Sequence, residues 1–479
     1  MNHDDFQIKQ IDPSLYNADL APLAPAERKW GWFEIFNVWS NDIQSLFGYT
    51  LAATLFISYG LNGWAVLAGI VLAGFIVMGL VQLTGKPSVK YGIPFPVMAR
   101  ASMGVRGANF PAMVRGIVAI FWYGVQTYFA STAVALLLRT LLGSEPQAAT
   151  LLGLTAIDWA AYVIVCVFQV ALFVRGVDWV TRFLNWAGPL VYLVMIVLMI
   201  AIWYQAGPSL LGALGGPIAA FAAVVGTMVA YFAAVVINYG DFARFVKSER
   251  QMRIGNFLGL PVSLAIFSLI ALVITAGTVV VFGETLTNPT DIVARIDNVT
   301  LTVVAAITFF AATVGINLVA NFLPPAYDVA NLAPARISAR TGGFITAAIA
   351  FFIGALWVAF ISEVGIAAFV DTLGAVLAPL YGIIVADYYL VRRQHLDLQQ
   401  LFSTERSGIY HFNAGWNRKA MIAFGVSAVF SVASVWVPGL ESLSGFAWLL
   451  GALFGGVLHF GLMRNQSPLT GAAQPAPLG

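Results

Sequence analysis

Four clusters of polar side chains interrupt an otherwise apolar sequence, and their types and spacing suit hydrogen-bonded recognition rather than covalent chemistry. The first is Trp39-Ser40-Asn41-Asp42-Ile43-Gln44-Ser45, with five polar side chains in seven residues. A continuous lipid-facing helix would not accept it. A helix that breaks and lines a wet cavity would, because its unwound backbone can hold a solute or a cation. The alternative is an interfacial helix start, although Phe33, Ile35, Phe36 and Val38 are already apolar upstream. The second cluster is Trp122 and Gln126, four residues apart and therefore on one helical face. An indole plane beside a carboxamide can stack a flat heterocycle and bond its edge; it also suits an aromatic belt with one packing glutamine. The third is Tyr231-Phe232, followed by Asn238-Tyr239-Gly240-Asp241. Phe232 can supply the opposite face of an aromatic sandwich or simply pack. The fourth is Asn317 and Asn321, again one turn apart. They offer paired donors and acceptors, or interhelical bonds of about 0.6 kcal/mol each.

Signatures of other chemistries fail. The Gly79…Gly85-Lys86 stretch has the wrong spacing for a phosphate loop, and Pro87 stands where Ser or Thr is needed. There is no His-Glu-x-x-His pair, and the four histidines (His3, His395, His411, His459) are scattered, so no metal site is expected. No nucleophile–base pair presents itself. The single cysteine, Cys166, excludes an intrachain disulfide.

The elements that must position these clusters follow from composition. Of 479 residues 60% are hydrophobic and only 10% are charged, against about 25% charged in soluble domains. The mean hydropathy is +0.85. A net charge of +2 gives no basic footprint for nucleic acid. The partner implied is the lipid bilayer. Hydropathy divides the chain into twelve spans near 33–58, 62–84, 110–141, 153–174, 180–206, 217–239, 256–282, 300–322, 343–361, 365–390, 419–437 and 443–463. With these spans, 22 Lys and Arg residues fall on one side and only Arg139 and Arg295 on the other. That bias places both termini in the cytoplasm. The clusters lie in spans one, three, six and eight. Spans one and six, and three and eight, correspond if the chain is two inverted five-helix repeats.

Several stretches carry a family likeness: Lys90-Tyr-Gly-Ile-Pro-Phe-Pro-Val-Met-Ala-Arg-Ala-Ser-Met-Gly-Val-Arg-Gly107, Phe121-Trp-Tyr-Gly-Val-Gln126, Asn317 to Tyr327, and Ala386-Asp-Tyr-Tyr-Leu-Val-Arg-Arg393. Over nearly its whole length the chain resembles the nucleobase–cation symporter family one, and looks closer to its hydantoin, allantoin and uracil members than to its cytosine permeases. The resemblance implies an all-α membrane protein with a LeuT-like core of 5+5 inverted repeats and discontinuous helices one and six. Helices eleven and twelve lie outside that core. The implied divisions are a cytoplasmic segment 1–32, repeats 33–206 and 217–392, a loop with the last two helices 393–464, and a cytoplasmic tail 465–479. The implied protein is a monomeric transporter in the cell membrane, not an enzyme. Its cargo is a small heterocycle, and its only cofactor-like need is a coupling cation.

Carried over residue by residue, Trp122 stacks on the substrate ring and Gln126 bonds its amide edge. Asn321 takes the opposite edge with Asn317 beside it. Phe232 stands where several relatives have tryptophan, which leaves a smaller second face. Gln44 and Ser45 fall at a polar substrate contact, and Val370 falls where a small apolar residue closes over the substrate. At the cation site of sodium-coupled relatives, Ala312 keeps a backbone carbonyl. Gly315 and Ile316, however, replace two hydroxyl side chains. Protons are therefore favoured over sodium, with Asn41 and Asp42 of the broken segment nearby. A charged Asp at mid-membrane costs about 2.5–3.5 kcal/mol, which protonation relieves. Asp42 is either a proton carrier or a structural cap for unwound amides.

Overall fold

The computed structural model describes residues 6–465 apart from residues 59, 61, 144–150, 219–220 and 297. The expected cytoplasmic tail therefore lies almost entirely outside the described residues. Among the described residues the architecture is helical, with only isolated bridges such as Trp30 to Val246 outside the helices. Among the described residues, nine helices are long and apolar enough to cross a bilayer, and three shorter apolar helices accompany them. The main helices are α1 (Trp32–Ile43), α2 (Leu46–Ser58), α3 (Gly63–Tyr91), α4 (Phe95–Met103) and α5 (Asn109–Leu142). Then follow α6 (Ala156–Arg175), α7 (Val177–Ala206), α8 (Phe221–Tyr231), α9 (Ala233–Asn238) and α10 (Glu249–Phe282). The chain continues through α11 (Val299–Leu332), α12 (Ala339–Ala355), α13 (Ile366–Val391), α14 (Arg418–Trp436) and α15 (Ala447–Met463).

The helix breaks fall where polar residues interrupt the apolar pattern. Gln44 and Ser45 separate α1 from α2, and Phe232 separates α8 from α9. At the first break Gly48 comes so close to the Ile43 carbonyl that a Cβ would lie 2.6 Å from it. Only glycine allows that approach. The break also frees backbone groups that water would otherwise have to satisfy. Three hydroxyls take them instead. Ser45 Oγ accepts from the Gly48 amide at 3.0 Å, as an N-cap does. Thr313 Oγ1 accepts from the Leu46 amide at 3.0 Å, and the Tyr231 hydroxyl donates to the Asp42 carbonyl at 3.0 Å.

Proline plays the corresponding part in α11. Pro324 has no amide proton, so the Ala320 carbonyl loses its helical donor and the helix widens over Asn317–Phe322. Arg115 of α5 fills the gap, donating from one guanidinium nitrogen to the Ala320 carbonyl at 3.2 Å and from the other to Asp328 at 3.2 Å. Arg115 and Asp328 are almost wholly buried, at 0% and 1% exposure.

Some boundaries differ from the hydropathy reading. α3 runs on to Tyr91 and α11 to Leu332, because their polar ends continue as helix beyond the apolar stretch. The basic stretch around Arg100, expected as loop, contains α4. Its Arg100 is buried, bonding the Leu401 carbonyl at 3.1 Å and Asn331 at 2.7 Å. The amino-terminal segment packs across this face. Leu23 bonds the Gly92 carbonyl, and Arg244 donates to the carbonyls of Asp19 and Ala21. Burial lowers Arg28's affinity for its proton below the usual guanidinium range, against the pull of Glu27. At the other end of the chain, α15 lies against α13. Gly382 faces the Ala452 carbonyl there, where a Cβ would meet it at 1.8 Å. His459 Nε2 lies 3.1 Å from Asp387, which also pairs with Arg392 at 2.6 Å.

The Arg115–Asp328 pair yields a stability prediction. Arg115→Met strands a buried carboxylate and should cost about 3–5 kcal/mol. Arg115→Met combined with Asp328→Leu should recover most of that loss. Thermal unfolding of the purified protein in detergent, single against double variant, checks it.

Candidate functional site

The breaks and the neighbouring faces of α5 and α11 bring most of the sequence-selected residues together. Ser45, left outside the helix by the first break, accepts from Gln126 Nε2 at 3.4 Å and lies 3.4 Å from the Tyr231 hydroxyl. That hydroxyl shares its single proton between the Asp42 carbonyl and Asp42 Oδ1, which lies 3.1 Å away. One connected path thus runs from Asp42 through Tyr231 and Ser45 to Gln126. Gln44 sits in the break with both side-chain amide atoms buried and without hydrogen-bond partners. The Oε1 of Gln126 is in the same condition.

Trp122 lies one turn from Gln126, and three rings surround it. Phe47 of α2 approaches edge-on at 4.9 Å, Tyr231 at 5.6 Å and Phe369 of α13 at 5.4 Å. Phe232 takes a different place from Tyr231. Its ring meets Trp39 edge-on at 6.0 Å and Tyr231 at 4.8 Å, so the ring from this break that meets Trp122 is Tyr231. Val370 is fully buried beside Phe369, which also packs on Trp357 at 5.3 Å.

The adjacent face of α5 carries Tyr123 and Thr127, which meet α11. Asn317 Nδ2 lies 3.0 Å from the Tyr123 carbonyl, 3.0 Å from Thr127 Oγ1 and 2.8 Å from Gln169 Oε1 of α6. Asn321 Nδ2 donates to Asn317 Oδ1 at 3.1 Å. None of the substrate-site residues named from sequence is more than 6% exposed, so the arrangement is closed to solvent.

At the expected cation position, Ala312, Gly315 and Ile316 are buried in α11. The hydroxyl that α11 contributes at the first break is Thr313, already engaged with the Leu46 amide. Asn41 is buried on α1, where its Nδ2 donates to the Asn37 carbonyl at 2.7 Å. Among the described residues no group of three or more His, Cys, Asp or Glu side chains is arranged to hold a metal ion.

Sequence reasoning passed over Tyr231, Thr313 and Gln169 as working residues. Gln169 was the most accessible of these, a lone carboxamide in the apolar run Val165-Cys-Val-Phe-Gln169-Val-Ala. Tyr231 and Thr313 gave less signal, since a tyrosine or threonine in a span commonly packs or bonds its own helix.

A buried aromatic wall, carboxamides with unspent acceptors and a carboxyl at a helix break can hold a flat polar ring. Residues 22–451 match the family model described as permease for cytosine/purines, uracil, thiamine and allantoin. The chain belongs to that family. It is 34% identical to the allantoin permease of Bacillus subtilis (strain 168), over 96% of both chains. It is 27% identical to the purine-uracil permease of Arabidopsis thaliana, over 99% of this chain and 83% of that one. Its fold is similar to that of Mhp1, a nucleobase-cation-symport-1 family transporter in a closed conformation with bromovinylhydantoin bound. The TM-score there is 0.79, with 25% identity over 94% of this chain and 95% of that one. These relatives are permeases and transporters, not enzymes, and the chain is a multi-pass membrane protein of their kind.

Tyr231→Phe keeps the ring among its aromatic neighbours but removes the donor to Asp42. The loss should lower stability by about 1–3 kcal/mol, the cost of leaving a buried acceptor unpaired. Thermal unfolding checks this, and an unchanged midpoint would mean that water replaces the hydroxyl.

Proposed function

We propose that the protein imports a nucleobase or a related flat amide heterocycle, of the uracil, allantoin or hydantoin type, by proton symport with alternating access. The observation that carries this is the path from the Asp42 carboxyl through Tyr231 and Ser45 to Gln126. It places a group able to carry a proton within two hydroxyls of a carboxamide that grips the cargo. Trp122 stacks the ring, Gln126 and Asn321 take its edges, and Gln44 supplies a further donor and acceptor. Phe232 packs edge-on against Tyr231, while Phe369 and Val370 close over the ring.

The nine long and three short apolar helices make twelve crossings in this reading, with α1–α2 and α8–α9 as the two broken ones. Both termini then lie in the cytoplasm, residues 33–206 and 217–392 form inverted repeats, and α14 and α15 stand outside them. The transporter acts as a monomer in the cell membrane. Rocking of the broken-helix bundle against α5 and α11 switches access between the two sides. Coupling arises because a proton on Asp42 and a ring on Gln126 each favour the same closed state. With Asp42 neutral, the Tyr231 hydroxyl is released from a charged acceptor and the Ser45–Gln126 contact tightens or loosens with it.

A sodium-coupled reading has one observation in its favour. Thr313 Oγ1, next in the chain to Ala312, stands at the first break, where a hard cation would find oxygen. It lacks side-chain oxygen at Gly315 and Ile316.

Uptake of labelled uracil, allantoin and hydantoin into proteoliposomes separates these readings. Accumulation driven by an inward proton gradient alone is expected. Accumulation driven only by sodium would overturn proton coupling, and equilibration without accumulation would identify a uniporter. Asp42→Asn should bind the ring yet abolish proton-driven accumulation. Trp122→Ala should weaken ring binding by about five- to 150-fold, given about 1–3 kcal/mol for stacking of a planar base.

A further inference from the structure

The carboxamides beside α5 form a relay with a definite polarity. Thr127 Oγ1 donates its single proton to the Tyr123 carbonyl at 2.7 Å, so toward every other neighbour that oxygen accepts. Gln169 Nε2 donates to it at 3.0 Å. Gln169 therefore turns its Oε1 to Asn317, whose Nδ2 lies 2.8 Å away. The two N–H bonds of the Asn317 amino group are thus committed among Gln169, Thr127 and the Tyr123 carbonyl, one of them shared between two acceptors. Its Oδ1 faces Asn321 and accepts from Nδ2 there at 3.1 Å. Asn321 Oδ1 is thereby turned away from Asn317.

Reversing any one amide would set like against like, donor against donor or acceptor against acceptor, at a neighbouring contact. Gln169, Asn317 and Thr127 are at most 2% exposed, which leaves no room for water to repair such a clash. Gln126 has the same polarity by a separate route. One N–H of its Nε2 goes to Ser45, while its Oε1 is buried and unpartnered.

We propose that Gln169, from outside the binding site, is a positioning residue that sets the polarity of Asn321. Asn321 and Gln126 then both present carbonyl oxygen to the cargo. The inference rests on the transporter reading above and narrows its substrate class. The preferred ring carries N–H donors on two edges, as cyclic ureides and imides do. A ring blocked at either nitrogen leaves a buried carbonyl unpaired. Gln169 touches no cargo; it acts through Asn317.

Equilibrium binding to the purified full-length protein tests this, with hydantoin and uracil as probes against their two mono-N-methyl isomers. For the wild-type protein, at least one isomer should bind about tenfold or more weakly than its parent. Gln169→Met removes the amide at similar volume, and Thr127→Val removes the hydroxyl that orients it. Each should shrink the discrimination at the Asn321 edge by about fivefold or more. The methyl group's bulk is the same in every variant, so this ratio reports polarity and not fit. Discrimination at the Gln126 edge should not change.

Weaker binding of parent and isomers alike, with the ratios intact, would make Gln169 a packing contact and overturn the proposal. Equal binding of parent and both isomers by the wild-type protein would overturn it whatever the variants do. Failure of the wild-type protein to bind any of these rings would instead overturn the substrate reading, and this inference with it.

Discussion

A peptide group inside a bilayer must find its partner within the protein, and at the break between α1 and α2 three side-chain hydroxyls help to meet that demand. Ser45 caps the Gly48 amide, Thr313 takes the Leu46 amide, and Tyr231 reaches the Asp42 carbonyl. These three belong to three different parts of the chain, so the break joins α1, α2, α8 and α11 in one place. The same hydroxyls that make the interruption tolerable also lead from Asp42 to Gln126. Structural satisfaction and the candidate coupling path are thus one set of bonds.

The widened turn of α11 follows the same rule with other chemistry. Pro324 withholds a donor, and Arg115 supplies one from α5 while its charge is balanced by Asp328. A buried ion pair gives little net stability on its own, because desolvation offsets much of the attraction. Here it holds α11 against α5 at the turn that carries Asn317 and Asn321. Farther along the same face, Arg100, Arg244 and Arg28 spend their donors on backbone carbonyls and Asn331, so basic residues counted as loop charges also tie segments together.

Around Trp122 the packing is of another kind. Phe47, Tyr231 and Phe369 meet its ring edge-on, an arrangement in which ring edges face the electron-rich plane. Such contacts are weakly directional compared with hydrogen bonds, and they can re-form around a planar guest. The polar side of the site offers no such freedom, since each amide's orientation is fixed by the next. In the proposed reading, the aromatic side accommodates shape and the amide side selects chemistry.

The sequence by itself determined that this is a membrane protein with roughly a dozen apolar segments, where its polar interruptions fall, and which family motifs it carries. Those properties are local: the hydropathy of a run and the spacing of Trp122 and Gln126 or of Asn317 and Asn321 are written along the chain. Only the tertiary structure decided that Tyr231, and not its neighbour Phe232, meets Trp122 and Asp42. The two differ by one residue at a helix break, where helical periodicity no longer says which way a side chain points. It likewise decided that Thr313 serves the break and that Gln169 reaches Asn317 from α6. The sequence supplies the amides, but which end of each faces the next is set by contacts between helices far apart along the chain.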